Sequence, residues 1–305
     1  MHRPWHQRPG NSPKKSISFI LDQFSTLDIR RWTAIRDAYL KYHWDYYISL
    51  VYQRSKITDE LKNALLEASQ KTYGFSKWQR VVKFKYSLDP LSVKGSLVDP
   101  GGRFNIGEID PSQFLPFPAL YIAADRNTAL QELLSQNITS GKENEALSSA
   151  LANPASITCV SLSGQLDSII NLNEPEKLQP FVDLLKNFSV SEELKKAFRS
   201  IKLPEPDLIK TVTKLMDALL IPNWREWPMQ FDVPVASQIF GQIAVDAGIE
   251  GILYPSKFLG GGECLAIFPQ NFDESSTSFV QLDDEAPQDA KICRWDAKTW
   301  KERLL

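Results

Sequence analysis

Residues 101–134 read GGRFNIGEIDPSQFLPFPALYIAADRNTALQELL and contain a glycine turn, a short apolar strand at 119–123 and a helix. Arg103 lies at the turn, Tyr121 on the strand and Glu132 on the helix. A cation, an aromatic ring and a carboxylate that follow one another so closely are typical of a ligand site. The stretch predicts half of such a site, which a later segment of the chain has to complete.

The helix in this stretch predicts where Glu132 points. Asp125 or Asn127 can cap it, and it begins near Thr128. Its apolar residues form one stripe, made of Ala129, Leu130, Leu133 and Leu134. Because successive residues turn by about 100° along a helix, Glu132 points away from the centre of that stripe. We therefore expect Glu132 to face solvent or a cleft.

Composition and charge exclude several classes of function. With 305 residues, of which 43% are apolar and 11% aromatic, the chain can bury a substantial core. Its net charge is −2 and its cations are scattered, so nucleic acid is not an expected partner. No apolar run is long enough for a membrane span, and the first residues lack the apolar segment of a signal peptide. We expect a cytoplasmic protein without membrane contact.

The histidines and cysteines restrict the chemistry. All three histidines lie in the first 43 residues, so a site built from later segments has to work without imidazole. The sequence therefore predicts no histidine triad and no metal site. The cysteines are odd in number and far apart, which argues against a disulfide framework. We interpret Cys159, Cys264 and Cys293 as reduced core residues.

Residues 1–80 are predicted to form an N-terminal helical extension. Apolar residues recur at helical spacing from Ser16 to about Lys77. The segment is rich in tryptophan and tyrosine, and we interpret these rings as packing against the main domain; a stacking surface for a ligand is the alternative. A strand is expected at 81–86, where the apolar residues alternate.

The rest of the chain is predicted to be a domain at 81–270 and a tail. A strand at 157–162 precedes a helical insertion at about 163–230, which prolines punctuate. Helices are expected in that insertion near 180–188, 192–201 and 207–220. Residues 271–305 are predicted to be an acidic linker followed by a C-terminal helix.

Ser256 marks the expected second half of the site. A helix at 235–247 and a strand at 252–254 precede it, and Gly260–Gly262 and a strand at 264–268 follow. A glycine run alone is weak evidence for phosphate binding. The order of the segments along the chain therefore matters more than any one of them.

Four segments occur in a fixed order: GGRFN (101–105), LYIAADRNTALQE (120–132), GIEGILYPS (248–256) and GGECLAIF (261–268). Together they resemble the RES domain family, which is named for an arginine, a glutamate and a serine. The resemblance implies an α+β fold with an ADP-ribosyltransferase-like mixed β-sheet core and surrounding helices. It also implies that NAD+ is the substrate and that no metal is needed.

The resemblance further implies which residues act and with which partners. Position by position, Glu132, Arg103 and Ser256 are the expected catalytic residues. The residues expected to contact NAD+ are Gly102, Arg103, Phe104, Asn105, Tyr121 and Tyr254. The resemblance also implies an activity, which is to consume NAD+ or to transfer its ADP-ribose. It implies that the protein acts as a bacterial toxin or as an effector delivered into a target cell. An antitoxin or immunity protein is therefore the expected partner.

Elementary chemistry agrees with these roles. Nicotinamide is already cationic in NAD+ and leaves as a neutral molecule, so neither a metal nor a histidine is required. A carboxylate such as Glu132 can hold the ribose 2′-hydroxyl and stabilise the oxocarbenium-like transition state. Arg103 can grip the pyrophosphate, and Tyr121 can stack on the pyridinium ring. Ser256 can hydrogen-bond the ribose or the carboxamide.

Several alternatives remain open at this stage. The acceptor of ADP-ribose can be water, phosphate or a protein, and a non-catalytic binding module is a further reading. The insertion can cover the cleft or bind a target, and residues 1–80 can be a partner-binding or inhibitory element. Trp224 and Arg225, which precede the return of the chain to the core, are also candidates to line the pocket.

Overall fold

Two helices form the N-terminal layer. The structure is a computed structural model, and it describes residues 26–135, 157–257, 262–283 and 292–300. Helix α1 spans Thr26–Ser55 and helix α2 spans Thr58–Ala68. Leu61, Ala64 and Leu65 recur at helical spacing on α2 and are buried. The predicted helical layer is present from Thr26 onward, and its expected first turns lie outside the described residues.

A mixed seven-stranded sheet forms the centre of the protein. The strands in the described part of the chain are β1 (Gln70–Lys83), β2 (Gly101–Gly102), β3 (Asn105–Ile106), β4 (Leu120–Ala123), β5 (Ile157–Asn171), β6 (Gly251–Pro255), β7 (Glu263–Ile267), β8 (Phe279–Leu282) and β9 (Arg294–Trp295). The order in the sheet is β1-β4-β7-β6-β5-β8-β9, and β1 also pairs with β5. The pair β5–β6 is parallel and the others are antiparallel. The predicted α+β class with a mixed sheet is confirmed.

Strand β1 corrects the predicted end of the helical layer. Helical periodicity was expected to about Lys77, but β1 already begins at Gln70. Residues Phe84–Tyr86, expected to belong to a strand, form a 3₁₀ turn instead. Strand β1 pairs with β5 over nearly its whole length. Pairing with a partner distant in sequence, rather than local periodicity, makes this segment a strand.

Strand β5 moves the start of the insertion. It continues to Asn171, beyond its expected end at residue 162. Gly164 lies inside the strand, where a Cβ would come within 2.4 Å of the carbonyl oxygen of Phe279 on β8. This glycine allows two backbones to approach closely and does not end the strand. The insertion therefore begins after residue 171.

The remaining helices lie mostly in the insertion and after it. In the described residues they are α3 (Lys94–Leu97), α4 (Arg126–Ser135), α5 (Gln179–Leu185), α6 (Glu192–Ser200), α7 (Val212–Leu219), α8 (Glu226–Phe231) and α9 (Ala236–Asp246). Apart from their ends, α5, α6 and α7 confirm the three helices predicted in the insertion. None of the described helices is long and apolar enough to cross a membrane.

The C-terminal part corrects the predicted linker. Strand β8 lies within it and pairs with β5, for example Leu282 with Leu162. Strand β9 then pairs with β8 and buries Trp295, which is 2% exposed. Residues 296–300, expected to begin a helix, form turns, and 301–305 lie outside the described residues. Packing of a few apolar side chains into the sheet outweighs the polar composition of this segment.

Two apolar clusters cover the two sides of the strands. The first unites α2, the insertion and α9, and includes Phe104, Tyr254 and Cys264. The second includes Trp78, Leu162 and Trp295. The predicted site therefore belongs to the side that the helices cover. All three cysteines are free, as predicted, and Cys264 is buried in the core; Cys159 is only half-buried and Cys293 is exposed, so the predicted core position is wrong for these two.

Helix α1 packs on the insertion through aromatic rings. The rings of Tyr42 and Tyr46 lie 6.1 Å and 6.2 Å from that of Phe198 on α6. Trp32 and Tyr52, in contrast, are exposed. Part of the aromatic set therefore packs against the rest of the protein, as predicted.

Candidate active site

The turn that carries Arg103 is held by the side chain of Asn105. Strands β2 and β3 pair Gly102 with Asn105, and the Asn105 Oδ1 atom accepts a hydrogen bond of 2.9 Å from the Gly102 N–H. The Asn105 amide donates to the carbonyl oxygens of Ser96 at 2.7 Å and Phe117 at 2.9 Å. Asn105 is fully buried. Its side chain thus acts on the backbone and fixes the shape of the turn.

Helix α9 clamps the same turn from the other side. The Gln238 amide nitrogen donates to the carbonyl oxygens of Pro100 at 2.7 Å, Gly102 at 3.2 Å and Asn105 at 3.1 Å. Gly241, one turn later, lets the helix approach so closely that a Cβ would lie 1.9 Å from the Phe104 carbonyl oxygen. The apolar spacing of the helix did not predict this contact. The signal that could have found it is Gln238, a polar residue directly before the apolar residues Ile239 and Phe240 of this helix.

Tyr121 connects strand β4 to the turn. Its hydroxyl accepts a hydrogen bond of 3.0 Å from the Phe104 N–H and donates one of 2.9 Å to Asn105 Oδ1. Burial raises the pKa of Tyr121, so the phenol stays protonated at neutral pH and can donate. The Gly102 backbone lies against the tyrosine, since a Cβ on Gly102 would come within 2.3 Å of the hydroxyl oxygen. The hydroxyl of Tyr121 therefore supports the turn, and this role does not depend on what its ring contacts.

Phe104 and Tyr254 pack against each other under the site. Their ring centroids are 5.0 Å apart, and the side chains are 0% and 3% exposed. Phe104 follows Arg103, and Tyr254 lies on β6 two residues before Ser256. The pair joins the two halves of the site through the core, with the side chains themselves withdrawn from the surface.

Glu132 and Ser256 meet across 124 positions of sequence. The Ser256 hydroxyl donates a hydrogen bond of 2.7 Å to Glu132 Oε1. Asp125 caps helix α4, since its Oδ1 accepts from the Thr128 N–H at 3.0 Å, and the helix then carries Glu132 to the sheet. Ser256 is 5% exposed, while Glu132 is half-buried. Glu132 is thus turned toward Ser256 at the end of β6 and is only partly open to solvent.

Cys264 lies beneath this pair. Its sulfur is 3.8 Å from Glu132 Oε1. Burial, followed by the charge of Glu132, raises the pKa of the Cys264 thiol. The thiol therefore stays protonated at neutral pH and is no candidate nucleophile.

Arg103 reaches from the turn to the insertion. It is 6% exposed, and its Nη1 atom donates to the carbonyl oxygens of Ile221 at 2.8 Å and Leu219 at 3.3 Å. Leu219 is the last residue of helix α7 and Ile221 follows it, and the C-terminal end of a helix favours a cation. Its other guanidinium nitrogens make no hydrogen bond within the described part of the chain. The insertion therefore borders the site, and Arg103 connects the two.

Arg225 is a second cation near this site. Its guanidinium lies 4.2 Å above the Trp224 ring, which is 3% exposed. Burial lowers the pKa of Arg225, the charge of Arg103 lowers it further, and the Glu132 carboxylate opposes both effects. These charges act on one another only because the groups lie close together. Arg225, only an alternative in the sequence analysis, thus belongs to the same electrostatic environment.

The arrangement combines one carboxylate, one hydroxyl and two guanidinium groups. Histidine enters the described residues only as His43 on α1, which packs among aromatic rings of the insertion. No group of histidine, cysteine or acidic side chains able to hold a metal ion occurs in the described ranges. Gly260 and Gly261 of the expected glycine turn lie outside those ranges. A site of this composition is suited to bind an anion and to stabilise a developing cation.

Comparison with known proteins identifies the class. The family model described as "RES domain" matches residues 77–289, and the chain belongs to the RES domain family. A solved structure, that of the MbcT–MbcA toxin–antitoxin complex from M. tuberculosis, is similar with 15% sequence identity and a TM-score of 0.42. The likeness covers 74% of this chain and 90% of that one. A search of curated protein sequences finds no match. The resemblance predicted from the four sequence segments is confirmed.

Proposed function

We propose that this protein cleaves the bond between nicotinamide and ribose in NAD+ and passes ADP-ribose to water or phosphate. The observation that carries the proposal is the Ser256–Glu132 hydrogen bond of 2.7 Å, beside Arg103. A carboxylate whose orientation is restrained by a hydrogen bond, together with a guanidinium group for the phosphates, supports this reaction. Membership in the RES domain family supports the same substrate.

Glu132 stabilises the transition state in this proposal. When the bond between ribose C1′ and the nicotinamide nitrogen breaks, its electron pair goes to the nitrogen and nicotinamide leaves neutral. The positive charge moves to the ribose, where the Glu132 carboxylate can stabilise it. Water or phosphate then attacks C1′, and with water the released proton goes to Glu132 or to solvent. Ser256, as a hydrogen-bond donor to Glu132, orients the carboxylate.

Arg103 and its turn bind the phosphates in this proposal. Guanidinium nitrogens form paired hydrogen bonds with phosphate oxygens, and the nitrogens of Arg103 other than Nη1 are available for them. Asn105, Gln238 and Tyr121 hold the turn rigid, so that little conformational entropy is lost on binding. A stacking role for the Tyr121 ring on nicotinamide stays a prediction.

Nicotinamide release tests the proposal directly. The purified protein is incubated with NAD+ in buffer with and without inorganic phosphate, and nicotinamide is measured by chromatography. Release in both buffers indicates hydrolysis, and release that depends on phosphate indicates phosphorolysis. No release in either buffer from a folded protein would refute the proposal and favour a non-catalytic binding module.

Transfer of ADP-ribose to a protein is the second candidate function. The observation that favours it is the contact of Arg103 with the carbonyls of Leu219 and Ile221, because it places the insertion at the edge of the site. A surface there could dock an acceptor protein. Incubation of a cell lysate with the protein and labelled NAD+ discriminates: discrete labelled bands indicate transfer, and free labelled product indicates consumption.

Consumption of NAD+ would also make the protein a toxin to the cell that produces it. We therefore propose an antitoxin or immunity protein as a partner that restrains the enzyme. Expression of the wild type in a bacterial host should arrest growth and lower cellular NAD+, while Glu132→Gln should not. Equal growth of both strains at equal protein levels would contradict the toxin proposal.

A further inference from the structure

Arg225 is stacked on a buried tryptophan ring near the candidate site. It directly follows Trp224, whose indole is buried, and its guanidinium lies 4.2 Å above that ring. Helix α8 begins at the next residue. A guanidinium stacked on a fixed aromatic ring loses few further conformations when it binds a ligand. The position of Arg225 is therefore set by the fold before any ligand arrives.

No acidic side chain in the described ranges forms an ion pair with Arg225, although the charge of Glu132 acts on it from a greater distance. In the described ranges its guanidinium makes no ion pair and no hydrogen bond, although the side chain is half-buried. Some other cations of the insertion do form ion pairs, namely Arg199 with Glu205 and Lys214 with Asp207. A partly buried cation without a protein partner costs free energy in the empty site. An anionic ligand would remove that cost.

Arg103 has only part of its guanidinium group available to hold a doubly charged pyrophosphate. Its Nη1 atom is committed to the carbonyls of Leu219 and Ile221, only a few residues before Arg225. The same two hydrogen bonds tie the segment that carries Arg225 to the turn that carries Arg103. Arg225 thus follows, by four residues, the point at which Arg103 is bonded to the insertion.

The charges of the site match those of NAD+. Two guanidinium groups and the Glu132 carboxylate leave one net positive charge among these groups. The pyrophosphate of NAD+ carries two negative charges and the pyridinium one positive charge, so the dinucleotide carries one net negative charge. A multivalent anion bound between Arg103 and Arg225 would also offset the repulsion between them.

We propose that Arg225 binds the pyrophosphate of NAD+ together with Arg103, so that Arg103 joins the insertion to the site and Arg225 completes the phosphate grip. This inference rests on the proposed function and adds a specificity: ligands with a pyrophosphate bind through Arg225, and ligands without phosphate do not. ADP-ribose, which keeps the pyrophosphate, should bind through the same residue. Arg225 is a binding residue in this scheme and takes no part in the bond cleavage.

Titration with ADP-ribose and with adenosine tests the inference. Binding is followed by calorimetry and by the fluorescence of the protein for the wild type, Arg225→Gln, Arg225→Lys and the control Arg199→Gln. Because a charge-assisted hydrogen bond contributes about 1.5–3 kcal/mol, Arg225→Gln should lower the affinity for ADP-ribose roughly 10- to 100-fold. Arg225→Lys should lower this affinity by less, and Arg199→Gln should bind ADP-ribose as tightly as the wild type. Any binding of adenosine should be equal in all four proteins.

Steady-state kinetics and salt dependence separate binding from a structural role. Arg225→Gln should raise the KM for NAD+ far more than it lowers kcat, and its affinity for ADP-ribose should depend less on salt. The melting temperature checks folding; if Arg225→Gln is unstable, the Lys variant decides by the same measurements. Unchanged affinity for ADP-ribose in the Gln variant, with an active wild type, overturns this inference alone. A wild type that neither binds ADP-ribose nor releases nicotinamide overturns it together with the proposed function.

Discussion

At the scale of one residue, the direction of Glu132 follows from the local sequence pattern, while its hydrogen-bond partner follows from the tertiary structure. Its position off the apolar stripe of its helix already predicted exposure to solvent or a cleft. The partner, Ser256, comes from a strand end 124 positions later. No local pattern could reveal that contact, because it depends on how β4, β7 and β6 lie side by side. The roles of both residues in catalysis stay predictions.

Replacing Glu132 by glutamine should separate chemistry from stability. The amide keeps the size of the side chain and can still accept a hydrogen bond from Ser256, but it cannot stabilise a positive charge on ribose. We expect nicotinamide release to fall by at least about 100-fold. The melting temperature should stay within about 2 °C of the wild type.

The control for this experiment is Glu193→Gln, which changes an exposed acid on helix α6. It should release nicotinamide at the wild-type rate. Activity of Glu132→Gln equal to that of this control would show that the carboxylate is not needed and would remove Glu132 from the mechanism.

Helix α9 shows at the scale of an element how a support can be invisible in sequence. Its apolar spacing predicted only a core helix, and the helix is where it was expected. Its contribution to the site comes from Gln238, which holds three carbonyls, and from Gly241, which permits the approach. The spacing of apolar residues carries no information about either contact.

Gly241→Ala should disturb the Arg103 turn. Its Cβ would lie 1.9 Å from the backbone oxygen of Phe104, so helix and turn have to separate. We expect a loss of about 1–3 kcal/mol in the free energy of unfolding and reduced affinity for NAD+. Urea denaturation and the KM for NAD+ measure the two effects.

Gly95→Ala on helix α3 is the matched control. A Cβ at Gly95 has no neighbour within 4 Å, and its backbone conformation is open to alanine. This variant should keep or slightly gain stability. A Gly241→Ala protein as stable as Gly95→Ala would mean that the close approach of α9 is not required.

The packing of α1 on the insertion should weaken at acid pH. His43 lies 4.2 Å from the ring of Phe231 and 5.0 Å from that of Trp227, and both its nitrogens are buried without a partner among the described residues. Burial lowers the pKa of His43. Below an unfolded-state pKa of about 6.5 the unfolded chain takes up the proton first, so this contribution to stability falls as the pH falls.

His43→Phe tests this expectation. It keeps a ring in the aromatic cluster and removes the titrating group. The free energy of unfolding from urea denaturation at pH 7 and pH 5 should drop by less in the variant than in the wild type. Parallel changes in the two proteins would show that His43 does not contribute to the pH dependence.

The whole molecule depends on both sides of its sheet. The site lies on the side covered by helices, while the C-terminal strand β9 helps to close the other. Five strands form a closed ring of pairings, because β1, β4, β7, β6 and β5 are neighbours in this order and β1 also pairs with β5. This ring connects the two sides. A change far from the site in this second cluster should therefore lower the stability of the entire fold.

Trp295→Ala is the test at this scale. The side chain is 2% exposed, and its removal should cost about 3–5 kcal/mol in the free energy of unfolding. Circular dichroism and nicotinamide release should be lost at the same urea concentration. Lys298→Ala, at an exposed position nearby, should behave like the wild type. Loss of circular dichroism without loss of activity would mean that the segment is an appendage.

The amino-acid sequence by itself determined the family, the α+β class, the helices of the insertion, the direction of Glu132 and the absence of histidine from the later segments. These features depend on local periodicity, on turn residues and on the order of short motifs. The tertiary structure alone decided the length of β1 and β5, the inclusion of β8 and β9 in the sheet and the direct hydrogen bond between Ser256 and Glu132. It also placed Arg103 against the insertion and Arg225 near the site. The physical reason is that strand pairing and side-chain contacts between distant segments depend on which surfaces meet, and a local pattern does not record its partner.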